Sequence, residues 1–406
     1  MKVFKFGGAS VKDAAGFENV CRIVASETDK LVVVVSAIGK TTNALEVVVN
    51  AVWEHREEDA QARWEEIQNN HQTVARALGV DSCIVRASFM HRSCKAGYDE
   101  LYDDIVSNGE LMSSRLLSAY LERRGIPNTL LLMPDLLVTD DTFREAKVDT
   151  AASAKRICEA VNNSAHRVCV VQGFIGGTPD GRRTTLGREG SDYTAAMVAN
   201  FLDAQSVTIW KDVPGILNAD PRLVSDTVLI PELSYSEAVE LAYSGAQVIH
   251  PKSIRPVENK KIPLYVKPFG DPTAAGSVIC QTDRKVDVPV YIWRKNQLLI
   301  TMRAKDFSFI LEESLSHIFD IIKRHRLKVS LIQSSAVTIS VCVDNSRYVT
   351  DAINELHGAY AVTYNEGLSL LTIRGTTPEI LHREAAGRQI LLTQNTRRTA
   401  RFVVKE

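Results

Sequence analysis

"KLVVVVSAIG", residues 30–39, decides how the rest of the chain is read. It is apolar without alternation and stops at a glycine. A strand of that kind needs cover on both faces, which places it in a sheet sandwiched between helices. Outward from it, "NTLLLMP" (128–134), "RVCVVQGFIG" (167–176) and "SVTIWKDVPG" (206–215) are further apolar runs, each leading into a loop. Helical periodicity fills the intervals. Leu45, Val48, Val49 and Val52 share one side within 43–79, with Trp64, Ile67, Val74 and Leu78 further on. Long helices are expected near 110–124, 149–163 and 191–204. Strands alternating with helices predict an α/β class, an αβα sandwich with a mostly parallel sheet. Ligands of such sheets lie beyond the carboxyl ends of the strands.

The chain opens on another strand, "KVFKFGGAS" (2–10), in which Lys5 precedes a Gly7-Gly8 turn. Two readings fit: an edge strand with a solvated lysine, or a phosphate cradle in which glycine N–H groups and an ammonium meet an anion. Composition narrows the field. The 406 residues exceed one ordinary core, and 24% charged with 45% apolar residues is a globular profile. A net charge of -1 without basic runs argues against nucleic acid or an anionic membrane as partner. Seven cysteines lack CxxC or zinc spacing, so reduced thiols are expected. With no leader and no apolar run long enough to span a bilayer, a cytoplasmic protein is expected.

Beyond the Pro- and Gly-rich "VKPFGDPTAAGSVI" (266–279) the grammar changes. "LLITMRA", "ESLSHIFDIIKRH", "LKVSLIQSS", "AVTISVCVD", "SRYVTDAINEL" and "YAVTYN" read βαββαβ, a ferredoxin-like α+β unit. A strand, a helix and two strands then fill 368–406, too short for a second full copy unless an upstream strand completes it.

The richest stretch for chemistry is "GFIGGTPDGRRTTLGREGSDYTAA", 173–196. A glycine loop passes two arginines and two threonines and ends at Gly190-Ser191-Asp192, where Ser191 or Asp192 is the expected helix N-cap. Such a loop at a strand's carboxyl end is costly to order without a ligand. No Walker A sequence occurs and no GxGxxG follows a strand, so phosphate binding must come from dispersed glycine turns.

KFGGAS (5–10), VSAIGKTTN (35–43), NGELMS (108–113), GFIGG with TTLGREGSD, and WKDVPGILNADPR (210–222) together resemble the aspartokinases of the amino-acid kinase family. The 290–406 region resembles their paired ACT regulatory domains. The resemblance implies a catalytic domain of amino-acid kinase fold over 1–283 and an ACT region over 284–406. Its first unit is expected at about 297–364 and an abbreviated second at about 367–406, completed by the 286–296 strand. It implies Mg²⁺- and ATP-dependent phosphorylation of the L-aspartate β-carboxylate, the first step toward lysine, threonine and methionine, in a homodimer with amino-acid feedback. Lys5 and Asp192 are then catalytic, Asp192 holding Lys5 or a Mg²⁺ water. Arg188 is implied to grip the α-carboxylate and Glu110 to meet the α-ammonium, although a helix-start acid is a sufficient reason for Glu110. Ser36, Thr42, Phe174 and Ser191 map to the substrate pocket. Gly7, Gly8, Lys211, Asp212, Leu217, Arg222 and Gln247 map to the nucleotide side.

This sequence departs from the family pattern in four places. Ala9 replaces the usual threonine, Glu189 a common glycine, Lys211 a threonine and Gln247 a nucleotide-contacting lysine. Lys211 or Lys252 is the expected replacement for the last. Acidic residues that meet lysine in lysine-sensitive relatives are Ser330 and Ala336 here. Ser330, Gln333, Ser334 and Ser335 instead suit a short polar effector such as threonine, unless Asp306, Glu312 or Glu313 turns inward. Another amino-acid kinase and a catalytically dead amino-acid sensor are the competing readings. The ACT region and GELMS oppose the first, and the joint presence of Lys5, Glu110, Arg188 and Asp192 opposes the second.

Overall fold

The structure is a computed structural model and describes residues 1–87, 97–246, 249–306, 309 and 312–405. The chain divides into two compact units. The first comprises Met1–Leu217, Leu229–Ala242 and Gln247–Lys285; the second comprises Val286–Glu406 with two excursions, Asn218–Val228 and Tyr243–Ala246. A single cut at 283 leaves both excursions on the other side.

The first unit is built on an eight-stranded sheet. Its spatial order is Glu232–Ser234, Ser277–Cys280, Leu264–Pro268, Ser206–Lys211, Lys2–Phe6, Leu31–Val35, Val168–Gln172 and Asn128–Leu131. Every pairing is parallel except that between Leu264–Pro268 and Ser277–Cys280. Leu31–Val35 is buried at all five positions, as an uninterrupted valine run requires. The 43–79 periodicity resolves into two helices, Thr41–Trp53 and Glu57–Ala77, broken where His55 takes a left-handed φ of 58°.

Lys2–Phe6 lies fourth from one edge, so the edge-strand reading of Lys5 fails. Its register on Ser206–Lys211 sets Phe6 beside Trp210, with stacked rings 6.1 Å apart, while Phe4 meets the same indole edge-on at 5.7 Å. That aromatic wedge fixes the two neighbouring strand ends that carry Lys5 and Lys211.

The second unit is one antiparallel sheet in the order Val329–Ser334, Thr338–Asp344, Val290–Ala304, Tyr360–Arg374, Thr399–Lys405, Ile390–Asn395. The sequence reads separate strands where the structure has two 15-residue strands, Val290–Ala304 and Tyr360–Arg374. Each serves both halves. Residues 297–303 pair with Thr338–Asp344, whereas Val290–Arg294 pair with Leu370–Arg374, giving the 368–405 half its fourth strand. Register shifts between Arg294 and Leu299 bend the strand at the junction. Helices Glu312–Arg324 and Val349–Ala359 cover the first half, and Pro378–Ala385 the second.

Candidate active site

Four adjacent parallel strands end together, at Phe6, Val35, Gln172 and Lys211, and the loops leaving them form the site. Gly8 lies so close to the 36–39 loop that a Cβ there would sit 2.6 Å from the Gly39 carbonyl oxygen and 2.9 Å from that of Ala37. A side chain at Gly8 would therefore force the two loops apart. The Gly39 N–H donates to the Gly8 carbonyl at 3.0 Å and locks the turn.

Lys5 and Asp192 meet in this corner. Lys5 Nζ lies 2.6 Å from Asp192 Oδ1, and Lys211 Nζ lies 3.6 Å from Oδ2. Asp192 is 2% exposed and Lys5 8%. Burial pushes the Asp192 carboxyl up, but Lys5 and Lys211 outweigh it and hold the group below its usual range, ionised. Neither Ser191 nor Asp192 is the N-cap, since the helix already begins at Gly190. Glu189 occupies that position with a left-handed φ of 53° and no side-chain cap, and Asp192 sits in the first turn of Gly190–Phe201. The backbone conformation at Glu189 is one that favours glycine, so the turn is held at some cost in strain.

Glu110 behaves oppositely. It lies in the first turn of Asn108–Arg123, 2% exposed, with Oε1 accepting the Ala37 N–H at 3.2 Å and Oε2 buried without a hydrogen-bond partner among the described residues. Burial pushes its carboxyl up to about 8, against weak opposition from the Ala37 N–H and the Lys5 charge. A buried acceptor left open in this way is a ready seat for a cation.

The 175–189 loop is ordered by acids that sequence reasoning missed. Asp103, fully buried, accepts from Thr185 N at 2.7 Å, Thr185 Oγ1 at 2.6 Å and Arg144 N at 2.9 Å. Burial still raises its carboxyl to about 6. Arg183 Nε donates to Asp104 at 2.9 Å and its NH1 to Asn108 at 3.1 Å, while Arg182 pairs with Asp180 at 2.8 Å. Two of the three loop arginines are thus engaged by the protein. Arg188 is exposed and has no partner among the described residues. The acid-rich run "YDELYDD" (98–104) carried a signal for these anchors, but nothing in its spacing said which loop it held.

A model of the "Amino acid kinase family" matches residues 1–268. The lysine-sensitive aspartokinase 3 of Escherichia coli K12 is 32% identical over 395 residues, covering 92% of this chain and 86% of the relative. The chain belongs to the aspartokinases. The chloroplastic aspartokinase 2 of Arabidopsis thaliana is also 32% identical, with 87% of this chain and 69% of the relative covered. Against a bifunctional aspartokinase/homoserine dehydrogenase of the same plant, the chain spans 41% of the relative's length. Among solved structures, E. coli aspartokinase III in complex with aspartate and ADP superposes with a TM-score of 0.79 at 29% identity, covering 100% and 96% of the two chains. The same enzyme with lysine and aspartate gives 0.74 at 28%, with the same coverage.

Other positions expected to be functional in this aspartokinase fall in different settings. Ser36 follows the Leu31–Val35 strand and donates its N–H to the Phe6 carbonyl at 3.1 Å; Thr42 lies in the first turn of Thr41–Trp53. Phe174, at a left-handed φ of 68°, donates its N–H to Thr194 Oγ1 at 3.0 Å beside the buried Ser191. Asp212 is exposed, Leu217 ends a two-residue strand, and Arg222 is spent on Asp220 at 2.7 Å. Gln247 lies outside the described residues. Lys252 is exposed, whereas Lys211 touches Asp192. Among the described residues no three acidic, His or Cys side chains gather around a metal position, and no helix is long and apolar enough to cross a membrane.

In the second unit the four expected effector residues diverge. Ser330 is buried and its Oγ accepts from Arg294 at 3.0 Å. Gln333, Ser334 and Ser335 are exposed, and Ser335 closes the hairpin through a 2.7 Å hydroxyl contact with Thr338.

Proposed function

We infer that the chain is an aspartate kinase, transferring the γ-phosphoryl group of ATP to the β-carboxylate of L-aspartate. The observation that carries the chemistry is the buried Lys5–Asp192–Lys211 cluster at the carboxyl ends of the central strands. A carboxylate nucleophile is already ionised near pH 7, so the reaction asks for no general base. It asks for two anions to be held in line and for charge on the moving phosphoryl group to be neutralised. A β-carboxylate oxygen forms the new P–O bond, the bond from the γ-phosphorus to the bridging oxygen breaks, and ADP leaves with that electron pair. No proton moves. Lys5, beside the Gly7-Gly8 turn, neutralises the phosphoryl oxygens. Asp192 keeps both ammoniums in place and does not act as a base. Lys211 supplies the second positive charge, which supports it over the exposed Lys252 as the replacement for the lysine absent at Gln247. Mg²⁺ bound with the nucleotide would offset charge on its phosphates, and Asp192 would hold one of its waters.

The substrate's two ends have matching groups. The open Oε2 of Glu110 suits the α-ammonium, and the uncommitted fork of Arg188 suits the α-carboxylate. Ser36, Thr42, Phe174 and Ser191 shape that end. Asp212, Leu217 and Arg222 belong to the nucleotide side. A homodimer through 290–406 is part of this reading, supported by outermost strands at Val329–Ser334 and Ile390–Asn395 that offer unpaired edges.

Trapping the acyl phosphate with hydroxylamine tests the activity: aspartate hydroxamate should form with ATP and L-aspartate. Formation with glutamate or N-acetylglutamate instead would establish the other amino-acid kinase reading. No ATP turnover with any of them would establish the sensor.

A further inference from the structure

The second unit's two excursions, Asn218–Val228 and Tyr243–Ala246, are unlike the rest of it. Each continues directly from a position on the proposed nucleotide side or leads directly into one: Asn218 follows Leu217, the first excursion contains Arg222, and Ala246 precedes Gln247. Both are held by one short stretch, residues 289–294. The Tyr291 N–H donates to the Asn218 carbonyl at 2.8 Å, and Asn218 Nδ2 donates to the Pro289 carbonyl at 3.0 Å. Asn218 Oδ1 in turn accepts the Val228 N–H at 2.7 Å, so one 8%-exposed side chain ties both ends of the 218–228 segment to the strand.

Arg294 does the same for the other excursion. Its Nη2 donates to the Tyr243 carbonyl at 2.7 Å and its Nε to the Ser244 carbonyl at 3.2 Å. These are the last carbonyls of Tyr235–Ser244, which lack intrahelical donors and carry the negative end of the helix dipole. Gly245, at a φ of 112°, leaves room for the guanidinium; a Cβ there would lie 2.6 Å from Arg294 Nε. The remaining nitrogen, Nη1, donates to Ser330 Oγ at 3.0 Å and lies 3.9 Å from Asp344 Oδ1. The planar fork is thus fully used, two arms on the helix end and one on the Val329–Ser334 strand.

We propose that Arg294 and Asn218 are positioning residues for nucleotide binding, and that Ser330 sets how firmly Arg294 holds the 243–246 segment. The inference rests on the proposed kinase activity. A ligand on the Val329–Ser334 strand that takes the Ser330 hydroxyl removes one of three restraints on Arg294, and the helix end ahead of the nucleotide side loosens with it. Regulation through this route acts on nucleotide affinity more than on the aspartate end, because Glu110 and Arg183 take no part in the Arg294 and Asn218 contacts.

The test measures ADP affinity by calorimetry, together with kcat and both KM values, on the full chain. Arg294→Ala should weaken ADP binding by roughly tenfold and raise the ATP KM in step, with the aspartate KM changed less than about twofold. Arg294→Lys keeps the charge at the helix end but cannot reach three oxygens, so it should fall between wild type and Arg294→Ala. Ser330→Ala and Asn218→Ala should each weaken ADP by about threefold. If Arg294→Ala does not fold, the Arg294→Lys and Ser330→Ala pair decides. Unchanged ADP affinity in folded variants, or equal losses for ADP and aspartate, overturns the inference. Wild-type chain that neither binds ADP nor forms aspartate hydroxamate overturns the kinase reading itself, and with it this inference.

Discussion

Glu110 and Asp192 are both carboxylates withdrawn from water in the same site, yet their surroundings drive them in opposite directions. Burial penalises the charged form of each. Asp192 meets two ammoniums, at 2.6 and 3.6 Å, and stays ionised below its usual range. Glu110 meets one backbone N–H and a more distant lysine, and rises to about 8. The difference separates a finished ion cluster from an unfinished one. On the proposed reading, the phosphoryl end holds its charges paired before substrate arrives, and the amino-acid end awaits the cation that Glu110 would meet.

The largest effect should come from dismantling the finished cluster. Lys5→Ala removes the shorter contact to Asp192 but leaves Lys211, so the chain should fold and retain aspartate affinity while kcat drops by roughly 10²-fold or more. Steady-state kinetics with a thermal melt checks this. Near-normal kcat in a folded Lys5→Ala variant would remove Lys5 from the chemistry.

The unfinished cluster should reveal itself through pH. Glu110 must be ionised to receive an ammonium, so binding aspartate below about pH 8 expels a proton. The aspartate KM should therefore rise as pH falls from 8 to 6, approaching roughly tenfold per unit. Glu110→Gln should raise the KM by about 10–100-fold and flatten that dependence. Stability carries the opposite mark. Between the ordinary carboxylate value of 4.5 and about 8, the folded chain holds a proton that the unfolded chain has released, so Glu110 costs stability as pH rises through that window. Glu110→Gln should therefore melt higher than wild type at pH 8 and no differently at pH 4. Asp192, lowered, contributes stability above the usual carboxylate range and loses it as pH falls through its lowered value. A wild-type KM flat from pH 6 to 8 would contradict the assignment of Glu110 to the α-ammonium.

A smaller change is expected at the exposed end of the amino-acid pocket. Arg188→Lys keeps the charge and loses the bidentate fork, so the aspartate KM should rise by about tenfold with kcat nearly held. β-Alanine, which is aspartate without its α-carboxylate, should be phosphorylated poorly but equally by both forms. If Arg188→Lys lowers β-alanine turnover as much as aspartate turnover, Arg188 belongs with the nucleotide.

What could be read from sequence follows the same physics. The buried sheet was legible because an unbroken valine run has few alternatives, and Lys5 stood out because an ammonium inside such a sheet needs a reason. Asp192 was found by motif, but the cap was placed at Ser191 or Asp192 and not at Glu189, since the left-handed turn there leaves no trace in residue type. The Asp103 and Asp104 anchors connect 98–106 with 183–185, some 80 residues apart, and no local pattern encodes such a partner. The two long strands of the second unit were read as pieces because a strand bent between Arg294 and Leu299 loses its alternation there.

The smallest effect is expected at the effector, and the contact between Arg294 and Ser330 sharpens it. A lysine bound along Val329–Ser334 would bring its ammonium to Ser330, where the structure has an arginine nitrogen 3.0 Å from the hydroxyl. Two cations would then share one buried oxygen, with Asp344 no closer than 3.9 Å to the guanidinium. Asp306 and Glu313, two of the acids expected as alternative partners, are exposed, and the Glu312 side chain lies outside the described residues. Unpaired buried charge of that kind is costly, whereas a hydroxyl side chain exchanges one neutral hydrogen bond for another. Threonine should therefore inhibit more strongly than lysine, by raising the ATP KM a few-fold, and Ser330→Asp should shift the preference toward lysine by supplying the missing carboxylate. Initial-rate titrations with each amino acid separate the cases, and strong inhibition of the wild type by lysine with none by threonine would show that the ammonium finds its partner elsewhere.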